Sequence, residues 1–242
     1  MKRSVITLFI EMFAIMLCLS QNLKTESSTF DNLSDEKHIT RTKNDLKEIS
    51  GKNVFTTIHQ KVNPSLPPIH QAYFKSKPNY RLLYAAHGDL FQNKKQDYAF
   101  VVYDKEHNRI SILVYNDGRH QYAELYRDIK VENGLENADC NYSSFGTLDY
   151  QIAHDIVYQK VYLEKKPGSY LVNTICKITP LTRDKDIAFK EGCKSRKISR
   201  ELFQKYCSLL ISTSTTYNNW EGLMYDKTRN VFIIFYGQAF AD

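Results

Sequence analysis

Between Tyr80 and Asn116 the chain runs YRLLYAAHGDLFQNKKQDYAFVVYDKEHNRISILVYN, and its hydrophobic pattern divides into three strands and two polar loops. Leu82 to His87 is apolar with one aromatic and stops at Gly88-Asp89. Asp97 to Tyr103 and Ile110 to Tyr115 are rich in Tyr, Phe, Val and Ile, residues that suit a pleated, half-buried surface. Asp104 to Asn108 has the length and polarity of a hairpin connection, and Asn116-Asp117-Gly118 carries turn chemistry after the third strand. The same pattern predicts two more hairpins. Ile156–Glu164 and Tyr170–Ile178 flank the turn signal Lys165-Lys166-Pro167-Gly168, and the second of these strands contains Cys176. Trp220–Tyr225 and Val231–Tyr236 flank Asp226–Asn230, with VFIIFY reading as a central, buried strand. Val54–His59 and Gln121–Val131 are read as further strands. The prolines at 64, 67 and 68 hold Asn63–Pro68 extended and out of a ladder. Leu202, Phe203, Tyr206 and Leu209/Leu210 fall at helical spacing behind Ser199 as N-cap, which predicts a short amphipathic helix. The fold class is therefore mainly β, built of antiparallel hairpins with one or two short helices; α+β is the alternative.

The first fifty residues change this picture. Met1-Lys2-Arg3 precedes a nearly continuous apolar run, Val5 to Leu19, and Cys18-Leu19-Ser20 places small residues before a cut ahead of Gln21. That layout predicts a secretory signal peptide over 1–20. Retention as an anchor is the competing outcome, but the run is short for a membrane span and contains Glu11. Residues 21–51 are dominated by Ser, Thr, Asn, Lys and Glu, too polar to offset their ordering entropy by burial. They read as a disordered lead with a helical turn at Lys43–Ile49. Residues 52–242 read as a single mainly-β domain, long enough for one core. The expected destination is the periplasm or the exterior, with no stable membrane span after cleavage.

The chain has 33 basic and 27 acidic residues, net +6. Loss of 1–20 removes Lys2, Arg3 and Glu11 and leaves 31 against 26, or +5. So mild a charge suits an acidic partner or anionic surface and does not call for nucleic acid. The basic run from Arg183 to Arg200 is diluted by Asp184, Asp186 and Glu191 and lacks aromatics for base stacking. Of five cysteines, Cys18 leaves with the signal; Cys140, Cys176, Cys193 and Cys207 remain. An even number in an exported chain predicts two disulfides. Three connectivities are open; pairing neighbours along the chain gives Cys140–Cys176 and Cys193–Cys207.

The loop after the first strand, Asp89-Leu90-Phe91-Gln92-Asn93-Lys94-Lys95-Gln96-Asp97, resembles one repeat of the FG-GAP (integrin-like) type. In that family the loop reads roughly D-x-N-x-D-G-x-x-D and binds calcium. The resemblance covers about 35 of the 242 residues. It implies a metal set of Asp89, Asn93 and Asp97, because alternate oxygens plus a distal carboxylate can wrap a hard cation. Phe91 cannot ligate, and Lys94 stands where the family has glycine. Two carboxylates and one amide beside two lysines make a poor calcium site, so the loop reads as a degenerate one held by Asp and Asn bonds to backbone N–H groups, and no cofactor is expected. No second copy of the stretch is evident in the sequence, which argues against a propeller of repeats.

Catalytic patterns are missing: there is no G-x-S-x-G, H-E-x-x-H, P-loop or G-x-G-x-x-G, and the seven histidines are scattered singly. The function expected is a non-enzymatic, exported binding or interaction protein with a protein partner. Small size, export and disulfides also fit an immunity-type inhibitor that plugs a toxin. By the resemblance, similar single-repeat chains are exported bacterial proteins. The alternative is a metal-assisted hydrolase using Asp89 and Asp97.

Overall fold

The computed structural model describes residues 36–134, 176–180, 207–214 and 219–238. They form two antiparallel-rich sheets and three short α-helices, a mainly β or α+β fold. The expected signal segment and the cysteines at 140 and 193 lie outside the described residues, as do 135–175 and therefore most of the predicted hairpin around Pro167-Gly168. No helix among the described residues is long and apolar enough to cross a membrane.

Helix α1 spans Glu36–Gly51; it contains the helical turn expected at Lys43–Ile49 and corrects the disorder expected around that turn. Thr42, Leu46 and Ile49 are buried, at spacings of four and three residues, so one narrow stripe of an otherwise polar segment reaches the core. Helix α2, Val54–Val62, replaces the strand expected at Val54–His59. Val54, Phe55 and Ile58 supply its buried side, a helical spacing that the β-branched composition masks. Asn53, at φ 59°, makes the break between the two helices. Asn63–Ser65 forms a 3-10 turn where extended chain is expected. Helix α3, Pro68–Ser76, then starts with proline at its first position, where a missing N–H costs nothing.

The first sheet is the antiparallel meander β1 (Tyr80–Gly88), β2 (Asp97–Asp104), β3 (Arg109–Asn116) and β4 (Gln121–Glu124), as its first three strands are expected to be. All eight residues of β2 are buried. Its alternate positions Tyr98, Phe100 and Val102 form one core with Leu82, Leu113, Tyr115 and, from the helical side, Leu66 and Phe74. Strand β1 carries a bulge between Leu82 and Tyr84. There the Leu82 N–H donates to His59 Nδ1 of α2 at 3.0 Å instead of to a strand.

The second sheet runs in the order β5 (Val131–Asn133), β9 (Val231–Gln238), β8 (Asn219–Asp226), β7 (Cys207–Ser214), β6 (Cys176–Pro180). Only the β5–β9 pairing is parallel among the described strands. The stretch expected as one strand, Gln121–Val131, divides between the two sheets: after β4 a tight turn at Leu125–Ile129 leads into β5. The helix expected over Ser199–Leu210 is corrected at its end, where Cys207–Leu210 is strand. Leu209 and Leu210, 0% and 3% exposed, are both covered, so their pattern is that of a strand buried on two faces. Strand β9 is central and buried from Val231 to Phe235, as VFIIFY predicts.

The β2–β3 and β8–β9 hairpins are built on one six-residue pattern, Tyr-Asp-Lys-x-x-Asn, at 103–108 and 225–230. In each the Tyr hydroxyl donates to the Asn side-chain oxygen, at 2.8 and 2.7 Å. In each Asp Oδ1 accepts the N–H groups two and three residues on, and the Asn is left-handed, φ 49° and 55°. Both hairpins belong to three-stranded meanders, β1-β2-β3 and β7-β8-β9. A short repeated unit thus exists, although the sequence of Tyr80–Asn116 shows no evident copy.

Candidate functional site: the Asp89–Asp97 loop

The loop joins β1 to β2 and its oxygens turn inward. Asp97 is 0% exposed. Its Oδ2 accepts the Phe91 N–H at 2.8 Å, and its Oδ1 accepts the Asn93 Nδ2–H at 3.0 Å and the Asp117 N–H at 2.9 Å. Asp89 Oδ1 accepts the Asn93 N–H at 2.8 Å, and Asn93 Oδ1 accepts the Lys95 N–H at 2.8 Å. Asn93 Nδ2 also donates to Asn116 Oδ1 at 3.0 Å, which ties the loop to the end of β3. Gly118 completes the brace: a Cβ there would stand 2.9 Å from Asn93 Nδ2. Burial pushes the Asp97 carboxyl above its usual pKa. The hydrogen bonds from Phe91, Asp117 and Asn93 oppose the rise, and the Asp89 charge adds to it.

The two departures from the calcium pattern have structural uses. Phe91, 3% exposed, packs its ring against Tyr225 and Phe232 of the second sheet, at centroid distances of 4.7 and 5.8 Å. Gln92 beside it donates to the Tyr225 carbonyl at 2.6 Å. Lys94 takes φ 60°, the left-handed backbone for which glycine is the usual residue. The three predicted oxygen-bearing residues are therefore brought together, yet N–H donors already surround the oxygens that would face an ion. A cation there would have to displace several charge-assisted hydrogen bonds. The donor set does not fit calcium, and among the described residues no three His, Cys, Asp or Glu side chains gather as a metal group.

Of the four cysteines expected to remain after signal cleavage, Cys176 opens β6, on a strand as expected. Cys207 is a half-buried free thiol at the start of β7. Burial pushes its pKa up; the Asp89 charge adds to this, and a hydrogen bond from the Asp89 backbone works against it. The predicted pairings require Cys140 and Cys193 and fall outside the described residues.

Sequence reasoning passed over His70. It is 1% exposed on α3, with ring centroids of Tyr98, Tyr115 and Phe100 at 4.3, 4.8 and 5.1 Å and Tyr122 Oη 2.6 Å from Nδ1. The available signal was its spacing of four from Phe74, the other buried residue of α3. A second buried polar centre is Glu124, 2% exposed, which accepts from Arg109 Nη2 at 2.6 Å and Ser111 Oγ at 2.9 Å and pairs with Arg127 Nη1 at 2.8 Å. Its charge is matched and its oxygens are occupied, the arrangement of a structural ion cluster. No family model, no curated protein and no solved structure matches this chain.

Proposed function

We propose that the chain is an exported interaction protein that acts by binding another protein, with the Asp89–Asp97 hairpin loop as rigid support. The observation that carries this reading is the state of Asp97: a wholly buried carboxylate whose oxygens hold three N–H donors from two loops. A carboxylate so engaged organises backbone and is a poor candidate for metal-assisted hydrolysis, which needs open coordination positions. An immunity-type inhibitor, rigid and small, is one form of the same proposal.

Calorimetric titration of the protein with calcium is the first test. No saturable heat is expected at millimolar ion; binding tighter than millimolar, abolished by Asp89→Ala and by Asp97→Ala, would overturn the structural role of the loop. The binding role is tested by recovery of the tagged protein from its native organism. One stoichiometric protein partner, whose complex re-forms from purified components, supports it. Failure to re-form any complex, together with turnover of an ester or phosphoester substrate, would overturn it.

A further inference from the structure

Helix α3 is fastened to the first sheet by three side chains: His70, Phe74 and Tyr73, whose ring stacks on Tyr122 at a centroid distance of 3.5 Å. His70 and Phe74 are its buried residues, while Ile69 is 51% exposed and Ala72, Lys75 and Ser76 face solvent. Pro67, extended at ψ 150°, precedes the helix and Lys77-Pro78 follows it, so the chain is non-helical on both sides. Beneath the helix lie the aromatic side chains of Tyr98 and Phe100 on β2, Tyr115 on β3 and Tyr122 on β4.

The groups facing His70 offer a proton little compensation. Tyr98, Tyr115 and Tyr122, with Tyr73 on the helix itself, are phenols, neutral through the ordinary pH range. Beyond them are Tyr80 at the margin of the same core, His87 against Tyr98 on β1, His120 bonded to Tyr115, and His59 of α2 against Phe74. Asp117 is the carboxylate whose charge reaches His70. The hydrogen-bond partner of the ring is a hydroxyl, Tyr122 Oη. An imidazolium placed here would lose its hydration and gain ring faces, one hydroxyl and the charge of Asp117 in return, and the lowered pKa shows that the loss outweighs the gain.

We infer that α3 is an acid-released latch: protonation of His70 lifts the helix from the first sheet and opens the aromatic surface of Tyr98, Phe100 and Tyr115 while both sheets stay folded. The sign follows from linkage. Burial lowers the His70 pKa from 6.5 to about 4, with Asp117 opposing. The closed helix thus binds its proton less readily than the released one. Closure is complete above 6.5, weakens as pH falls towards 4, and weakens no further below. The closed-to-open ratio changes by roughly tenfold per pH unit in that window, about 300-fold in all.

Amide hydrogen exchange of the full chain between pH 7 and pH 4.5, corrected for intrinsic exchange, reads this out. Protection of the α3 amides is expected to fall by roughly tenfold per unit below pH 6.5 while β2 and β3 keep theirs. In His70→Gln, whose side chain does not titrate, α3 protection is expected to be flat with pH. Protection that is flat in the wild type, that falls equally in His70→Gln, or that falls in step with β2 and β3 would overturn the latch. Should His70→Gln not fold, the wild type decides alone: α3 protection that falls below pH 6.5 while β2 and β3 keep theirs supports the latch, and protection that falls in step with theirs refutes it.

Discussion

Asp97 organises more of the first sheet's loop end than any other single side chain. It is the acceptor for Phe91, Asn93 and Asp117 at once. Asp97→Ala strips three buried donors of their partner and is expected to cost about 2–4 kcal/mol, measured by urea unfolding. Asp97→Asn keeps one oxygen but turns an amide N–H₂ towards an N–H, so it too destabilises, by less than Ala. Its pH signature separates the two effects. Burial raises the Asp97 pKa, so the wild type loses stability to this group as pH climbs through the raised value; in Asp97→Asn that part of the pH slope disappears. The oxygen-bearing residues of this loop were legible in the sequence as an alternating set. Their donors were not, because the Asp117 N–H arrives from 20 residues away and Phe91, which the calcium pattern counts as a defect, is the residue that seats the loop on the second sheet.

Strands announce themselves better than helices in this chain. Where a continuous run of Tyr, Phe, Val and Ile is bounded by turn residues, as in β2, β3 and β9, expectation and fold agree. Only the Lys43–Ile49 turn of helix α1 was legible, because three buried positions suffice to dock a segment that is polar everywhere else. Leu46, 0% exposed, makes the difference measurable. Leu46→Ala should cost about 2–5 kcal/mol and lower the helical circular dichroism, whereas in a disordered lead it would change neither. Helix α2 escaped because Val, Thr and Ile favour strands locally, and packing of Phe55 on Tyr103, 4.2 Å between centroids, outweighs that preference. The repeated Tyr-Asp-Lys-x-x-Asn turn was readable as six letters but too short to stand out against 242 residues. Its two copies should respond alike. Asn108→Ala and Asn230→Ala each lose a left-handed residue and a tyrosine's acceptor, and each is expected to cost about 1 kcal/mol by thermal unfolding.

At the scale of the molecule, the described residues bring the second sheet against the first at close points. Gly88 is one of them: a Cβ there would lie 2.5 Å from Ile178 Cγ2. Gly88→Ala should therefore push β6 from β1 and cost about 1–3 kcal/mol by urea unfolding. Export is a proposal at the same scale. Cleavage before Gln21 would show as loss of the first 20 residues in the intact mass of protein recovered from the periplasm or medium, and a full-length cytosolic product would contradict it. The His59 imidazole on the Leu82 N–H has a bearing on solubility. β1 is the outer strand of its sheet, and such margins recruit foreign chains and seed fibrils when their amides stand bare. An imidazole ring stoppers this one at its bulge. Removing it with His59→Ala should leave a folded protein that slowly aggregates, visible as rising light scattering at high concentration.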